Sequence, residues 1–234
     1  MVIKLSPRLL SVANMIKQGQ SCADIGTDHA YLPVYLIAHD ICPWVVAADK
    51  ALGPFQSACR VVEQFYYHDR IKLRHGDGLA VLTPGEVDCV VIAGMGGQLI
   101  CEILSDNPEV VRCTKRIVLQ PQKNIEMVRS WLEQNNWRII NEDMVCDGKL
   151  FYTIIAAEQG TMQLTESERV FGPCLLSGRH IVLAKYLQER KDFLSEILTR
   201  LKQENSDARQ RIAELESELI LVDSVLYAPV KSEL

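Results

Sequence analysis

Acidic residues and glycines follow three successive apolar runs in the first third of the chain. Asp24 and Gly26 end the first run, Asp49 ends the second, and Asp77 and Gly78 follow the third. Ligands of open parallel sheets bind at the carboxyl ends of the strands, so we expect these residues to share one pocket. Gly26 lets backbone approach a ligand closely. The three acids suit, in order, an ammonium group, the hydroxyls of a ribose and the 6-amino group of an adenine.

The turn after the first run reads Gly26-Thr27-Asp28-His29-Ala30-Tyr31. A dinucleotide fold needs G-x-G-x-x-G there so that a pyrophosphate can bind at the helix N-terminus. The glycines are missing, and the Asp28 carboxylate suits a cationic sulfonium better than a diphosphate. The sequence therefore predicts S-adenosyl-L-methionine as the cofactor, and the alternative is that these residues only form turns. The predicted cofactor-binding residues are Asp24, Gly26, Asp28, Asp49, Lys50, Asp77, Gly78, Ala93, Gly94 and Met95.

The glycine-rich turn after the fourth apolar run reads Ala93-Gly94-Met95-Gly96-Gly97. Enzymes that methylate exocyclic amino groups of bases usually carry Asn or Asp followed by Pro-Pro and an aromatic residue here. This turn has no side-chain acceptor for an amino group. Its bare backbone leaves space for a planar ring, so a ring nitrogen with its own lone pair is the better methyl acceptor. The alternative is a turn whose glycines serve only packing.

Short apolar runs alternate with helical stretches over the first 160 residues, which predicts βαβ units and a mostly parallel sheet. An Asp-Gly turn at residues 147–148 joins the last two runs as a hairpin, so the last strand should be antiparallel. The predicted strands are 21–25, 44–49, 71–74, 87–93, 116–119, 137–144 and 150–157. The predicted helices are 31–40, 54–66, 97–105 and 124–135, with no confident helix at 75–86. The fold class is α/β, a Rossmann-like class I methyltransferase sheet of seven strands.

The chain changes character after Gly160, and residues 180–226 are predicted to be helical. Apolar residues from Leu187 to Leu226 recur mostly in alternating steps of three and four, which indicates a coiled-coil seam. A hairpin that turns near Asn205-Ser206-Asp207 would let each apolar stripe pack on the other. We therefore predict a catalytic domain at 1–160 and a helical, coiled-coil-like domain at 161–234.

Composition bounds the possible locations and ligands. The chain has 234 residues, is 48% hydrophobic and carries a formal net charge of −5. It has neither a signal-type N-terminus nor an apolar run of membrane-spanning length, which predicts a cytoplasmic protein without a membrane partner. Its 8 cysteines are scattered, with no C-x-x-C pair, so we expect buried thiols and no metal site. Basic residues are regional, with groups near the N-terminus, at 112–129 and at 179–211.

The motifs together resemble the bacterial methyltransferases that modify N1 of adenine 22 in the D-arm of tRNA. The resemblance is carried by Leu5-Ser6-Pro7-Arg8-Leu9, Ala23-Asp24-Ile25-Gly26-Thr27-Asp28-His29-Ala30-Tyr31-Leu32-Pro33, Gly53-Pro54-Phe55, Gly76-Asp77-Gly78-Leu79, Ile92-Ala93-Gly94-Met95-Gly96-Gly97, Leu119-Gln120-Pro121 and Gly172-Pro173. It implies a Rossmann-like catalytic domain, tRNA as partner and a helical C-terminal domain that helps to hold the tRNA.

On this interpretation Asp28, His29 and Tyr31 are the catalytic candidates. Asp28 would stabilise the positive charge that methylation leaves on the base, while His29 and Tyr31 would hydrogen-bond or stack on it. The predicted substrate-binding residues are Lys4, Arg8, Gly96, Gly97, Arg112, Lys115, Arg116, Gln120, Pro121 and Lys123. The protein is expected to be a monomer or a weak homodimer. Two alternatives stay open: a methyltransferase for another RNA or a small molecule, and a non-catalytic module that binds tRNA or protein.

Overall fold

The computed structural model describes residues 3–203 and 208–227 of the chain, which divides into two units between Leu164 and Thr165. The boundary predicted from the sequence lies four residues earlier, after residue 160. Residues 161–164 group with the first unit because they bond to it: the Leu164 N–H donates to Glu133, and Met162 Sδ accepts from the Ile139 N–H.

A sheet of seven strands, counted over the described residues, forms the centre of the first unit. The order is β3-β2-β1-β4-β5-β7-β6. Of these strands, β7 alone runs in the direction opposite to the other six. This confirms the predicted mostly parallel sheet with an antiparallel last strand. The strands are β1 Cys22–Ile25, β2 Val45–Asp49, β3 Ile71–His75, β4 Cys89–Met95, β5 Arg116–Pro121, β6 Trp137–Asp147 and β7 Leu150–Gln159.

Helices cover the sheet, and β1 and β5 are buried along their whole length, as the apolar runs predicted. The helices of the first unit are α1 Pro7–Asn14, α2 Tyr31–Ala38, α3 Leu52–Gln64, α4 Gly97–Ser105, α5 Pro108–Cys113 and α6 Ile125–Gln134. Helices α1 and α5 were not predicted. In α1, Ser6 caps the first turn by accepting from the Leu9 N–H and Pro7 follows at N1, a start signal that a helix of only eight residues makes easy to miss. Residues Gly78–Val81 form a 3₁₀ turn.

The strand order reverses between β1 and β4, which lie side by side at the centre of the sheet. From β1 the chain runs outward to β2 and β3, and from β4 it runs outward to β5 on the other side. Ligands of open α/β sheets bind at the carboxyl edge of such a switch point. The residues that follow Ile25 and those that end β4 therefore form the centre of the candidate site.

The second unit is helical: α7 Glu166–Phe171, α8 Pro173–Ser177, α9 Ile181–Gln203 and α10 Arg209–Leu226. Helices α9 and α10 are antiparallel neighbours, since Lys202 pairs with Glu216 near one end while Lys191 bonds to Tyr227 near the other. The seam residues predicted between Leu187 and Leu226 are buried or half-buried wherever they are described. The predicted turn at Asn205-Ser206-Asp207 lies outside the described residues.

None of the helices within 3–203 and 208–227 combines the length and the apolar character that crossing a membrane requires.

Candidate active site

The turn after β1 brings two backbone segments into close contact. Gly26 has a φ of +76°, and the N–H groups of Gly26 and Thr27 both donate to the Ala48 carbonyl at the end of β2. A Cβ on Gly26 would lie 2.2 Å from Cε of Met95. The position therefore requires glycine both for its backbone conformation and for the space that Met95 occupies. The result is a floor at the switch point in which the Gly26 backbone packs against the Met95 side chain.

Asp24 is the buried acid of the site, and the residue is only 5% exposed. Its Oδ2 accepts a hydrogen bond of 2.7 Å from the Thr27 hydroxyl. Burial raises the pKa of the Asp24 carboxyl to about 6, the Thr27 bond lowers it, the Asp49 charge raises it and the Arg8 charge lowers it. Burial disfavours the charged form of this carboxyl group, and a cation that binds beside it would stabilise that form.

Asp49 ties the ends of β1 and β2 together. Its Oδ2 accepts from the Asp28 backbone N–H at 3.1 Å, and its Oδ1 accepts from the Ala51 N–H at 2.9 Å. Each carboxylate oxygen keeps a further lone pair, so Asp49 can still accept from ribose hydroxyls. One strand further out, the Asp77 carboxylate forms an ion pair of 2.6 Å with Lys50 Nζ. The three predicted acids thus end adjacent strands in the predicted order.

Two of the predicted cofactor residues, Lys50 and Gly78, lie against other side chains of the protein. Lys50 holds Asp77. Gly78 has a φ of +52° and faces Ile103, whose side chain would lie 3.3 Å from an added Cβ. Ala93 is half-buried in β4. For Gly78 the space predicted for an adenine ring is therefore partly taken by Ile103.

The three catalytic candidates form one exposed cluster where the turn after β1 enters α2, whose first residue is Tyr31. The rings of His29 and Tyr31 stack with centroids 5.3 Å apart and planes 18° apart. His29 Nε2 lies 3.6 Å from Oδ1 of Asp28, whose side chain is 65% exposed. Tyr31 is 43% exposed. Ala30 caps α2 in the left-handed conformation without a side-chain bond.

Helix α1 brings Arg8 to the end of β5. The Arg8 guanidinium donates to Gln120 Oε1 at 2.8 Å and lies 5.7 Å from the ring centroid of Tyr152 on β7. The same Oε1 accepts from the Gly94 N–H at 3.1 Å, and Gln120 Nε2 donates to the Pro121 carbonyl. Gln120 is fully buried. The predicted contact of Gln120 with substrate is therefore corrected: the side chain is buried, and its Oε1 holds Arg8 and the Gly94 turn.

The glycines at the start of α4 differ from the prediction in one respect. A Cβ on Gly97 would lie 2.4 Å from the Asn124 carbonyl oxygen, and the Gly97 N–H donates to the Lys123 carbonyl. Gly97 therefore serves packing rather than substrate contact, because backbone fills the space around it. Gly96 borders Lys123, whose Cε would lie 3.2 Å from an added Cβ. Pro121 is buried in β5.

Three predicted tRNA contacts lie away from the site. Arg116 begins β5 and is aligned through β4 with Cys22, so it lies at the amino edge of the sheet. It is 6% exposed and pairs with Glu158. Lys115 pairs with Asp88, and Arg112 with Glu109. The sheet separates these three residues from the carboxyl edge, so the candidate site gives no support to the predicted contacts with tRNA. Lys4 and Lys123 are exposed, and neither makes an ion pair within the described ranges.

The site has the negatively charged hydrogen-bond acceptors that a cationic nucleoside ligand requires. An anionic group is buried at the floor, two further acids follow outward, and the glycine turn lets a ligand lie against backbone. S-adenosyl-L-methionine fits this set, since it carries an ammonium, a sulfonium, a ribose and an adenine. Among the described residues no group of three or more His, Cys, Asp or Glu side chains is arranged to hold a metal ion.

Comparison with known proteins decides the family. A Methyltransferase domain family matches residues 5–155. The tRNA (adenine(22)-N(1))-methyltransferase of Bacillus subtilis is 32% identical over 232 residues, which covers 96% of this chain and 98% of that protein. The chain belongs to the tRNA (adenine(22)-N(1))-methyltransferase family.

Solved structures of this family agree with the fold of the whole chain. The crystal structure of the Bacillus subtilis tRNA methyltransferase TrmK has a TM-score of 0.86 at 32% identity and covers 96% of this chain and 100% of that chain. Streptococcus pneumoniae Sp1610 in complex with S-adenosyl-L-methionine has a TM-score of 0.87 at 30% identity, with coverage of 96% and 100%.

Two residues of this family member were not predicted to belong to the site. Tyr152 lies beneath Arg8, and Gln122 follows β5, where its N–H donates to the Met95 carbonyl at 2.8 Å. Gln122 Nε2 would lie 3.9 Å from a Cβ on Gly94. No local pattern marks either residue. Gln122 follows the matched block Leu119-Gln120-Pro121 directly, and that adjacency is the signal from which it could have been found.

Proposed function

We propose that this protein transfers the methyl group of S-adenosyl-L-methionine to N1 of adenine 22 in the D-arm of tRNA. The observation that carries the proposal is the match to the Bacillus subtilis enzyme over nearly the full length of both chains. The Streptococcus pneumoniae relative bound to S-adenosyl-L-methionine supports the choice of cofactor. These relatives favour this function over a small-molecule methyltransferase or a non-catalytic module.

The acidic residues at the carboxyl edge bind and orient the cofactor. Asp24 accepts from its ammonium, and Asp49 from its ribose hydroxyls. Asp77 accepts from the adenine amino group while it keeps its bond to Lys50. When bound, S-adenosyl-L-methionine supplies an electrophilic methyl group on a cationic sulfur.

The acceptor base needs alignment rather than a strong base. The N1 lone pair of neutral adenine would form the new bond to the methyl carbon while the carbon–sulfur bond breaks. The electron pair of that bond stays on the sulfur, which leaves as a neutral thioether, and the positive charge passes to the adenine ring. No proton is lost in this step. Correct alignment alone contributes roughly 7–11 kcal/mol in favourable cases. Asp28 stabilises the positive ring, and the stacked rings of His29 and Tyr31 offer the base an aromatic surface.

The tRNA is held at the carboxyl edge by cations that no acid neutralises. Lys4, Arg8 and Lys123 make no ion pair with the described residues, and all three are exposed or half-buried. N1 lies on the Watson–Crick edge, so the base must leave its stack at a cost of a few kcal/mol, which phosphate contacts offset. The cations of α9 contribute less than the sequence suggested, because Lys185, Arg190, Lys191, Arg200 and Lys202 all pair with acids.

The protein acts in the cytoplasm as a monomer or a weak homodimer. The apolar seams of α9 and α10 satisfy each other within one chain, as buried Leu194, Leu198, Leu215 and Val222 illustrate, so dimerisation is not needed to cover them. Light scattering at micromolar concentration tests this part of the proposal.

Methyl transfer to bulk tRNA that lacks the modification tests the activity. The wild-type protein should incorporate labelled methyl groups. Asp28→Asn should bind the cofactor but transfer slowly, because Asn tolerates the φ of +51° at this position yet carries no charge. An Asp28→Asn variant with the wild-type single-turnover rate would remove Asp28 from the proposed mechanism.

A further inference from the structure

Two side chains of the described residues, those of Arg8 and Gln122, border the space above Gly94. Of the atoms outside neighbouring residues, those within 4 Å of a Cβ position on Gly94 are Arg8 Nη1 at 3.5 Å and Gln122 Nε2 at 3.9 Å. Gly94 has a φ of +79°, and its N–H is already bound to Gln120. A base that lies against this turn therefore meets a guanidinium and a carboxamide.

These two groups offer different recognition chemistry. Arg8 carries donors only, and one of them is committed to Gln120. Gln122 is exposed, and within the part of the chain that the structure describes its amide makes no hydrogen bond. Its backbone is fixed, because its N–H donates to Met95 in β4. The carboxamide of Gln122 is thus an anchored group with a free donor and a free acceptor.

A base that is methylated at N1 cannot be recognised through N1. For adenine this leaves the 6-amino donor and the N7 acceptor, which a Gln side chain bonds as a pair. Guanine presents O6 and N7, both acceptors, and pairs with Arg or Lys instead. We propose, on the basis of the function proposed above, that Gln122 determines specificity for adenine by accepting from N6–H and donating to N7.

The same contact becomes stronger as the methyl group is transferred. Methylation at N1 makes the ring cationic, so the N6–H group becomes a better donor to the Gln122 carbonyl. An interaction that strengthens in the transition state accelerates the chemical step as well as binding. Loss of Gln122 should therefore lower kcat and not only raise KM.

Single-turnover methylation of tRNA transcripts with adenine or 7-deazaadenine at position 22 tests the proposal. 7-Deazaadenine lacks the N7 acceptor and keeps N1 and N6. The wild type should lose about 3- to 10-fold in rate with it, the usual effect of one hydrogen bond. Gln122→Ala should lose about 5- to 100-fold with adenine and little more with 7-deazaadenine, because the contact is already gone.

Gln122→Glu should reverse the preference between adenine and 7-deazaadenine. A carboxylate still accepts from N6–H but repels the N7 lone pair, and 7-deazaadenine has a C–H group there. Q122E should therefore methylate 7-deazaadenine faster than adenine, unlike the wild type. Gln134→Ala, an exposed glutamine at the end of α6, is the matched control and should retain the wild-type rate and preference.

Calorimetry with S-adenosyl-L-methionine should give the wild-type affinity for every Gln122 variant. If Gln122→Ala keeps the wild-type rate, or if the 7-deazaadenine penalty is equal in the wild type and in Q122A, the proposal is overturned. A wild-type protein that leaves adenine 22 unmethylated would instead overturn the proposed function, and this proposal with it.

Discussion

The guanidinium of Arg8 donates to Oε1 of Gln120 at 2.8 Å, although 112 positions separate the two residues in sequence. This bond fastens α1 to the end of β5 and aligns the Gly94 turn, because the same oxygen accepts from the Gly94 N–H. A second bond, from the Ser11 hydroxyl to Asp143, fastens the same helix to β6. The N-terminal helix is therefore part of the site.

Replacing Arg8 by alanine should reduce methyl transfer more than cofactor binding. The variant loses a charge-assisted hydrogen bond and a tRNA contact, so we expect the single-turnover rate to fall about 10- to 100-fold. The affinity for S-adenosyl-L-methionine should change by less than about threefold, since Arg8 affects Asp24 only through its charge. Lys17→Ala is the control, because Lys17 pairs with Glu158 at the other edge of the sheet. Equal rates for the two variants would contradict the role of Arg8.

Gly26→Ala should abolish cofactor binding and destabilise the protein. The added Cβ would lie 2.2 Å from Met95, and the backbone has a φ of +76°. Gly19→Ala is a matched control: its φ is +86°, but no neighbouring atom lies within 4 Å of the added Cβ. The control should lose roughly 1–2 kcal/mol from the left-handed backbone alone. Urea unfolding and calorimetry measure both variants, and equal losses would show that the contact with Met95 is unimportant.

Asp24→Asn should stabilise the cofactor-free protein at neutral pH while it weakens cofactor binding. Folding raises the pKa of Asp24 from 3.8 to about 6. The folded state thus binds more protons between these values, and the free energy of unfolding falls as pH rises from about 4 to about 6. The loss is about 3 kcal/mol at 1.36 kcal/mol per pKa unit. The variant lacks this loss.

Urea unfolding at pH 4.5 and pH 7.5, without cofactor, measures the effect of Asp24→Asn. The variant should exceed the wild type at pH 7.5 by much more than at pH 4.5. Wild-type affinity for S-adenosyl-L-methionine should also fall as the pH drops through about 6, because the Asp24 carboxyl becomes neutral. A stability difference that is the same at both pH values would refute the burial of a charged Asp24.

The salt dependence of tRNA binding should separate the cations of the two sheet edges. Lys4→Ala and Lys123→Ala should each weaken binding and reduce the slope of log K against log salt by about 1. Arg112→Ala and Lys115→Ala should leave the slope unchanged, since both cations pair with acids at the amino edge. A reduced slope for Arg112→Ala or Lys115→Ala would show that tRNA also binds at the amino edge.

The fold and the position of the acids and glycines at the carboxyl edge could be predicted from the sequence because both depend on local patterns. Strands such as β4 are visible in the sequence as apolar runs. An acid or glycine that directly follows such a run must lie at the carboxyl edge of the sheet. Asp24, Gly26 and Asp49 followed from this rule. Arg116 lies at the opposite edge because it begins its strand, and the number of basic residues in a segment does not show at which edge of the sheet they lie.

The side of the site that would face the methyl acceptor depends on tertiary contacts, which the spacing of residues in the sequence does not show. Arg8 reaches Gln120 only because α1 packs across the sheet, and Oε1 of Gln120 accepts from partners that are distant in sequence. Gln122 is an exposed polar residue in a loop, so nothing distinguishes it locally. On α9 the sequence shows basic residues, while the structure shows the acids of α10 that neutralise Arg190 and Lys191.

The site of methylation on tRNA tests the central claim most directly. A transcript with adenine at position 22 should, after reaction with S-adenosyl-L-methionine, stop reverse transcriptase at that position and release N1-methyladenosine on digestion. A transcript with guanine at position 22 should remain unmethylated. Methylation at another nucleotide, at N6 of the same adenine, or none at all in a protein that binds the cofactor would contradict the account.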